Sequence, residues 1–596
     1  MAVGYDLRTG KPMKEVFVGE LFSPEHHHRC YRNKATDRFM ITSYEGAEYL
    51  DVQGNDHGQN NFVRGACKYG MMPANGLLYS PPDQCFCQPG AKLLGFNALA
   101  ARADKPPAET SDDHRLQRGE AFADASAAKT DDPAAPADWP TFRADPARHG
   151  STPAGVPAEL SEVWRVKLGG ALTAPVAIGD RAYVASADAH TVHALDLTTG
   201  RTAWSFVAGG RIDSPPTVHG ALLLFGSADG FVYCLRRSDG ALAWRFQAAP
   251  AVRLIMAREQ VESAWPVHGS VLVRDGVAYC TAGRSTYIDG GIRLWGLDIP
   301  TGKILHRGLL YGPQPDGKDV KRDLAFFIRG ANCDVLTAEG DAIYMRQKKL
   351  TPELKEIVVE PVSNKGESDV GRHVFSTAGL LDRSWYNRTF WMYAGRWPGF
   401  QLANQAPKSG QLLVVDDKAT YAVKVFYRRN RHSTMFFPAR EGYLLFADRN
   451  ENEPQIVGDK DARKPIPWLP QTEFLSSKGV RKLDAPDFGV DKGMGYTRAE
   501  PPLWTTWVDF RVRAMVKAGD KLLAAGPPDV LDEKDPYAAF EGRKGAKLVA
   551  LSAADGKPLA TRLLDSPPVF DGMIAARGRV LVSLEDGSLL CLAGKD

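Results

Sequence analysis

Two stretches of this chain repeat one another. From Ala174 the sequence reads APVAIGDRAYVASADAHTVHALDLTTGRTAWSF, and from Pro215 it reads PPTVHGALLLFGSADGFVYCLRRSDGALAWRF. Pro175 matches Pro216, Gly179 Gly220, Ser186 Ser227, Asp188 Asp229, Gly200 Gly240 and Trp204 Trp244, a spacing of 40 to 41 residues. Short apolar runs at 183–185, 192–195 and 203–206 are separated by Gly-Asp, Ala-Asp and Thr-Gly pairs, the pattern of half-buried strands joined by tight turns. A unit of four such strands cannot bury both faces alone, and stacking copies around an axis solves this: a β-propeller.

Degenerate copies extend the pattern. Pro266 begins PVHGSVLVRDGVAYCTAG, in a unit that ends at Lys303; Arg513 begins RAMVKAGDKLLAAG; Pro568 begins PVFDGMIAARGRVLVSLEDGSLLCL and stops without the final Thr-Gly-Lys strand. Residues 5–16, YDLRTGKPMKEV, carry that missing piece, so the N-terminal strand is expected to complete the C-terminal blade and close the ring. Fainter units at 26–66, 67–100 with 162–169, 325–360 and 374–430 bring the expected architecture to one all-β propeller over 1–596. It has eight four-stranded antiparallel blades, with seven or nine as alternatives. Residues 101–139, rich in Ala, Asp and Pro, read as a disordered or surface linker, and 431–503 as a long loop insertion over one face.

Composition excludes several classes. With 44% hydrophobic residues, 24% charged residues and a net charge of +3 over 596 residues, the chain can build a core and lacks the basic excess of a nucleic-acid binder. No apolar run approaches the roughly 18 residues of a membrane helix. The opening MAVGYDLRTGKP is no secretory signal, which leaves a cytoplasmic chain or one whose leader has been removed. Eight cysteines, at 30, 67, 85, 87, 234, 280, 333 and 591, are too sparse for a disulfide scaffold, and Cys85-Phe86-Cys87 lacks the second pair of a zinc site.

The units ALDLTTGRTAW and CLRRSDGALAW resemble the tryptophan-docking repeats of pyrroloquinoline quinone (PQQ) dehydrogenase-like propellers, and DWPTFRADPARHG at 138–150 resembles the segment that often opens such repeats. The resemblance is clear over about 170–303 and 513–596. It implies that Trp204 and Trp244 pack on neighbouring blades, and that the protein is exported, periplasmic or secreted. The quinoprotein alcohol dehydrogenases carry adjacent cysteines, calcium ligands from Glu, Asn and Asp, and a Trp floor under the quinone. No such set is found here, so no cofactor is expected and PQQ binding is disfavoured. The cofactor-free members, including the propeller of the outer-membrane assembly machinery, are then the nearer comparison.

Chemistry concentrates in the first hundred residues. Glu25-His26-His27-His28-Arg29-Cys30-Tyr31-Arg32 is followed by Asn60-Asn61-Phe62-Val63-Arg64-Gly65-Ala66-Cys67-Lys68-Tyr69-Gly70 and by Asn75-Gly76. Such a cluster is costly to bury without partners, and suits proton abstraction beside a carboxylate. Arg would bind the carboxylate bidentately while His or Tyr removes the proton at C5 of a uronic acid. The expected catalytic set is His26, His28, Arg29, Tyr31, Arg64 and Tyr69. The expected glycan-binding set is Asn75, His373, Arg383, Trp385, Tyr386 and Arg388, with Trp391, Tyr393, Arg396 and Trp397 behind them as sugar platform or inter-blade packing. His26 and His28 would share one side of a strand, which leaves room for a divalent metal, but no third ligand stands at matching spacing. Arg211, Arg253, Arg284 and Arg293 are expected at the surface, solvated or paired. The leading expectation is a polysaccharide lyase, β-eliminating a uronic-acid-containing glycan. The alternatives are a non-catalytic scaffold that binds protein or glycan, and a PQQ-dependent dehydrogenase. Only the lyase needs His28, Arg29, Tyr31 and Arg64 in one pocket.

Overall fold

The structure, a computed structural model, describes the chain except residues 1, 19–20, 22–29, 45, 61, 83–89, 102, 128–133, 313–327, 329, 360–367, 377–390, 398–407, 425–442, 453, 459–472, 477–478, 483–493, 499 and 595–596. Nearly all regular structure is β, in antiparallel meanders. One sheet runs Val176–Ile178, Arg181–Ser186, Thr191–Asp196 and Thr202–Val207, each strand paired with the next. The following sheets begin at Thr217–His219, Leu272–Arg274, Leu336–Glu339, Ser368–Ser376, Leu412–Val415, Ala514–Ala518 and Pro568–Ala576. These first strands lie side by side: Thr217–His219 beside Leu272–Arg274, that strand beside Leu336–Glu339, then Ser368–Ser376. Likewise Leu412–Val415, Ala514–Ala518, Pro568–Ala576 and Val176–Ile178 follow one another. They form the inner ring of a propeller. Last strands such as Thr202–Val207 and Pro558–Leu564 lie outside and are largely exposed.

Tryptophan joins one sheet to the next. Trp164 Nε1 donates to the Leu197 carbonyl (2.9 Å), Trp204 to Arg237 (3.0 Å), Trp244 to Ile299 (3.0 Å) and Trp504 to Ala553 (2.9 Å). Each ring covers the glycine of the receiving turn. A Cβ on Gly200, Gly240, Gly302 or Gly556 would stand 2.5–2.9 Å from the indole, and these residues have φ between 66° and 77°, so the turn itself also favours glycine. The docking expected for Trp204 and Trp244 is thus present.

The ring closes differently from the expectation. The strand completing the last sheet is Ser161–Lys167, paired along Ser588–Ala593, and residues 5–16 do not take part. Ala2–Tyr5 instead pairs with Pro12–Val16 in a separate hairpin. The units expected at 26–66 and 67–100 also stand off the ring. Lys34–Ala35, Phe39–Thr42, Ala47–Asp51 and Gly58–Asn60 make one sheet, Met72–Ala74, Leu77–Ser80 and Asn97–Ala100 another, and neither pairs with a ring strand. This N-terminal layer rests on the loops of the ring: Phe62 stacks on Tyr287 at 4.9 Å, Ala91 donates to the Ile328 carbonyl at 2.8 Å, and Asn332 donates to that of Lys92 at 2.8 Å.

The expected linker is largely docked. Leu116–Arg118 adds a fifth strand along Leu242–Gln247, followed by the helix Phe122–Ala127, and buried Arg115 donates to the carbonyls of Gln247 (3.0 Å) and Ala249 (2.9 Å). Pairing of this kind covers a sheet edge. Of the expected 431–503 insertion, Tyr443–Arg449 is a strand of the ring, paired with Ala419–Lys424 and Trp504–Val508.

Residues 138–152 run across the inner strands like a hub. Trp139 bridges Ala177; the Val218 amide donates to Pro140, Ala338 to Pro146, Val415 to His149 and Lys517 to Gly150; Ser151–Thr152 then pairs with Lys517 and Ala518. Two arginines fix it. Arg143 holds Asp571 through Nη1 (2.9 and 3.1 Å), while Arg148, fully buried, reaches the Leu336, Phe142 and Ser270 carbonyls (3.2, 3.0 and 3.3 Å) and the Thr141 hydroxyl (2.6 Å).

Candidate functional site

Of the residues singled out in the sequence, His26, His28 and Arg29, and Arg383, Trp385, Tyr386 and Arg388, lie outside the described residues. The others hold local structure. Tyr31 is buried and its hydroxyl donates to the Gly46 carbonyl. Arg64, also buried, donates to the Tyr44 carbonyl at 3.3 Å and to Cys30 Sγ at 3.0 Å. Tyr69 is exposed beside a tight turn, and Asn75 (φ 51°) with Gly76 (φ 73°) forms the two-residue turn between Met72–Ala74 and Leu77–Ser80. His373 is buried, stacked 3.8 Å from Tyr344, with Nδ1 2.7 Å from the Gly371 carbonyl and Nε2 2.8 Å from that of Arg346. Burial pushes its pKa down to about 4, against the pull of those carbonyls. Trp391 lies under the Arg143 guanidinium at 4.6 Å and Trp397 packs on Phe375 at 5.1 Å, so both are core packing.

A different group of charges is gathered at one end of two neighbouring sheets. Arg211 and Asp213 lie on the loop entering Thr217–His219; Glu262, on the strand Gln260–Ser263, and His268 lie in the segment entering Leu272–Arg274; Arg284 follows Val277–Ala282. Arg211 Nε stands 2.7 Å from Asp213 Oδ1, and its Nη2 2.8 Å from Glu262 Oε1; Arg284 Nη2 is 2.6 Å from Glu262 Oε2. His268 Nδ1 donates to Asp213 Oδ2 at 2.6 Å. All but Arg284 are almost wholly buried, so Arg211 is not at the surface as expected, whereas Arg253 is, paired with Asp289 at 2.7 Å. Burial lowers the His268 pKa, which keeps the ring neutral with its proton on Nδ1. Burial alone would raise Asp213, but the His268 hydrogen bond and the charges of Arg211 and Arg258 hold it below the usual carboxylate range. Paired and hydrogen-bonded, these groups make a rigid frame.

From this frame a hairpin, Leu254–Ala257 with Gln260–Ser263, stands out. Its base is anchored by Glu262, while Val252, Leu254, Met256 and Val261 are 58–77% exposed. Its two-residue tip, Arg258 (φ 50°) and Glu259 (φ 66°), holds the left-handed conformation without glycine, a strain of order 1 kcal/mol per residue. The exposed apolar side chains flanking this charged tip are therefore held in water by buried ion pairs at the base of the hairpin. Sequence reading missed the frame because its members come from three loops with no common spacing. The run Val252 to Met256 in a connecting loop was the one visible signal.

The carboxylates of Asp213 and Glu262 are already neutralised by Arg211 and Arg284, and among the described residues no group of three or more His, Cys, Asp or Glu is arranged to hold a metal ion.

Repeat units of this period, docked by tryptophan and closed by an early strand, define a β-propeller whose repeats are similar to the PQQ-like ones. Residues 157–314 match the family model described as outer membrane protein assembly factor BamB. A protein of that name from Moranella endobia is 37% identical over 78 residues, 13% of this chain and 19% of its own length. One from Yersinia pestis is 34% identical over 104 residues, 16% of this chain and 25% of its own. The DNA damage-responsive serine/threonine-protein kinase RqkA of Deinococcus radiodurans is 33% identical over 112 residues, 18% of this chain and 16% of its own. The match thus spans a quarter or less of these curated relatives. Among solved structures, the quinohemoprotein alcohol dehydrogenase from Comamonas testosteroni is similar with a TM-score of 0.42 at 15% identity, over 80% of this chain and 84% of that one. BamB from Moraxella catarrhalis is similar with a TM-score of 0.37 at 11% identity, over 74% and 98%.

Proposed function

We propose that this protein is a non-catalytic propeller scaffold, exported to the cell envelope, that docks a protein partner on the loop face around the Leu254–Ala257 hairpin. The observation that carries this reading is the pairing of a buried ionic base with exposed apolar side chains along the hairpin. A contiguous apolar surface held rigid in water marks an interaction site, since no ordering cost remains at binding. The shared repeat with proteins named as assembly factors supports a protein partner. Among the described residues no helix is long and apolar enough to cross a membrane.

A photo-crosslinking residue at Met256, with the full chain expressed in its native host, tests this. One discrete protein adduct is expected from position 256 and none from Leu563, an equally exposed residue on an outer strand. Adducts at both positions, or at neither, overturn the reading. A lyase would take its base and carboxylate binder from His28, Arg29, Tyr31 and Arg64, of which Tyr31 and Arg64 are engaged with backbone carbonyls. Absorbance at 235 nm during incubation with polyuronates is expected to stay flat; a rise from unsaturated uronate would restore the lyase in place of the scaffold.

A further inference from the structure

We infer that Cys30 and Cys67 form a disulfide that staples the N-terminal layer when the chain meets an oxidising compartment. Tyr31 and Lys68 make a parallel bridge, and the Lys68 amide donates to the Cys30 carbonyl at 2.7 Å. That hydrogen bond sets the Cys30 carbonyl against the peptide that joins Cys67 to Lys68, so the two cysteines are backbone neighbours. Two Cα atoms flanking such a bond lie ~5 Å apart, within the roughly 4.4–6.8 Å that a disulfide spans. The turn that presents Cys67 is fixed. Lys68 has φ 75°, the Gly70 amide donates to Ala66 at 2.8 Å, and a Cβ on Gly70 would stand 2.8 Å from the Tyr31 ring. Arg64 donates to Cys30 Sγ at 3.0 Å, which orients that sulfur. Cys67 is exposed and Cys30 partly so, whereas Cys234, Cys280, Cys333 and Cys591 are buried.

Both sulfurs are thiols in the structure, and their oxidation needs an acceptor, here a solvent-borne disulfide such as oxidised glutathione. The Cys67 thiolate attacks one sulfur of that disulfide, breaking its S–S bond and releasing one thiol. Cys30 then attacks Cys67 Sγ in the mixed disulfide and expels the second thiol. The two cysteines lose two protons and two electrons, and the acceptor gains them as two thiols. Between the two positions the chain builds the sheet of Lys34–Ala35, Phe39–Thr42, Ala47–Asp51 and Gly58–Asn60, so the new bond closes that sheet into a loop with its ends tied.

The test is non-reducing peptide mapping of the full chain after oxidised glutathione and alkylation. Peptides containing Cys30 and Cys67 are expected as one joined species. Proteolysis within 34–60 is expected to slow about tenfold on oxidation, an effect lost in Cys67→Ser. Recovery of Cys30 joined to Cys85 or Cys87, or of Cys67 in alkylated form, overturns the assignment. Unchanged proteolysis of a joined species removes its role as a staple.

Discussion

Arg148 is a buried cation that among the described residues is hydrogen-bonded to carbonyls and one hydroxyl and to no carboxylate. Burial pushes its pKa down to about 10, so it stays charged at neutral pH and satisfies acceptors from the hub and from two parts of the ring. Arg148→Met keeps the volume and leaves those acceptors bare, with an expected loss of about 3 kcal/mol or more in a urea titration, partly recovered by Arg148→Lys. Its neighbour His149 titrates. Burial would lower its pKa, but Asp145 at 2.8 Å and Glu339 at 3.7 Å raise it to about 9. A pKa raised above the ordinary 6.5 means a contribution fully present below about pH 6.5 and lost as pH rises through about 9. The melting temperature of wild type minus that of His149→Gln should therefore fall between pH 6.5 and 9 and level beyond it. His373, held near 4, has the opposite sign: its contribution declines as pH falls from about 6.5 through 4. Neither burial was legible in the sequence. The 138–150 segment was recognisable by resemblance, but an arginine wrapped in carbonyls has no periodicity, and His373 read as a sugar contact because its strand neighbours are aromatic.

At the scale of elements, the Trp-to-Gly dock is the unit of cohesion between sheets. Gly240→Ala places a methyl 2.6 Å from Trp204 at φ 77°, so it should cost about 2–3 kcal/mol. Gly276→Ala, at φ 76° with nothing within 4 Å, should cost only about 1 kcal/mol, and thermal melts of the two separate packing from backbone strain. The hairpin tip predicts a gain. Glu259→Gly relieves a left-handed residue and is expected to raise stability slightly in the same melts, while leaving the apolar side chains of the hairpin in place. The strands themselves were legible, since alternation and turn pairs marked them. The closing strand was not, because the Thr-Gly-Lys turn at 9–11 imitates the end of a unit. The better signal was Trp164, which precedes Trp204 by the same interval of 40 that separates Trp204 from Trp244.

For the whole molecule, closure rests on Ser161–Lys167 lying along Ser588–Ala593, with Trp164 docked at Leu197. Trp164→Ala should cost about 3–5 kcal/mol and strip amide-exchange protection from 588–593, whereas Trp204→Ala should cost a similar amount and leave that protection intact. The loop-face frame belongs to this scale too. Arg211, Glu262 and Arg284 meet only because neighbouring sheets stand side by side, which no local pattern encodes.

The hub at 138–152 and the closing strand at 161–167 are both made early, and both wait for partners that come last. Asp571, which Arg143 holds, and Leu589 and Leu590, which face Val166 and Arg165, are more than four hundred residues further along. A ribosome delivers the lock before the door. A product cut short before the last sheet leaves Arg143 without Asp571 and the edge of the closing strand open to water.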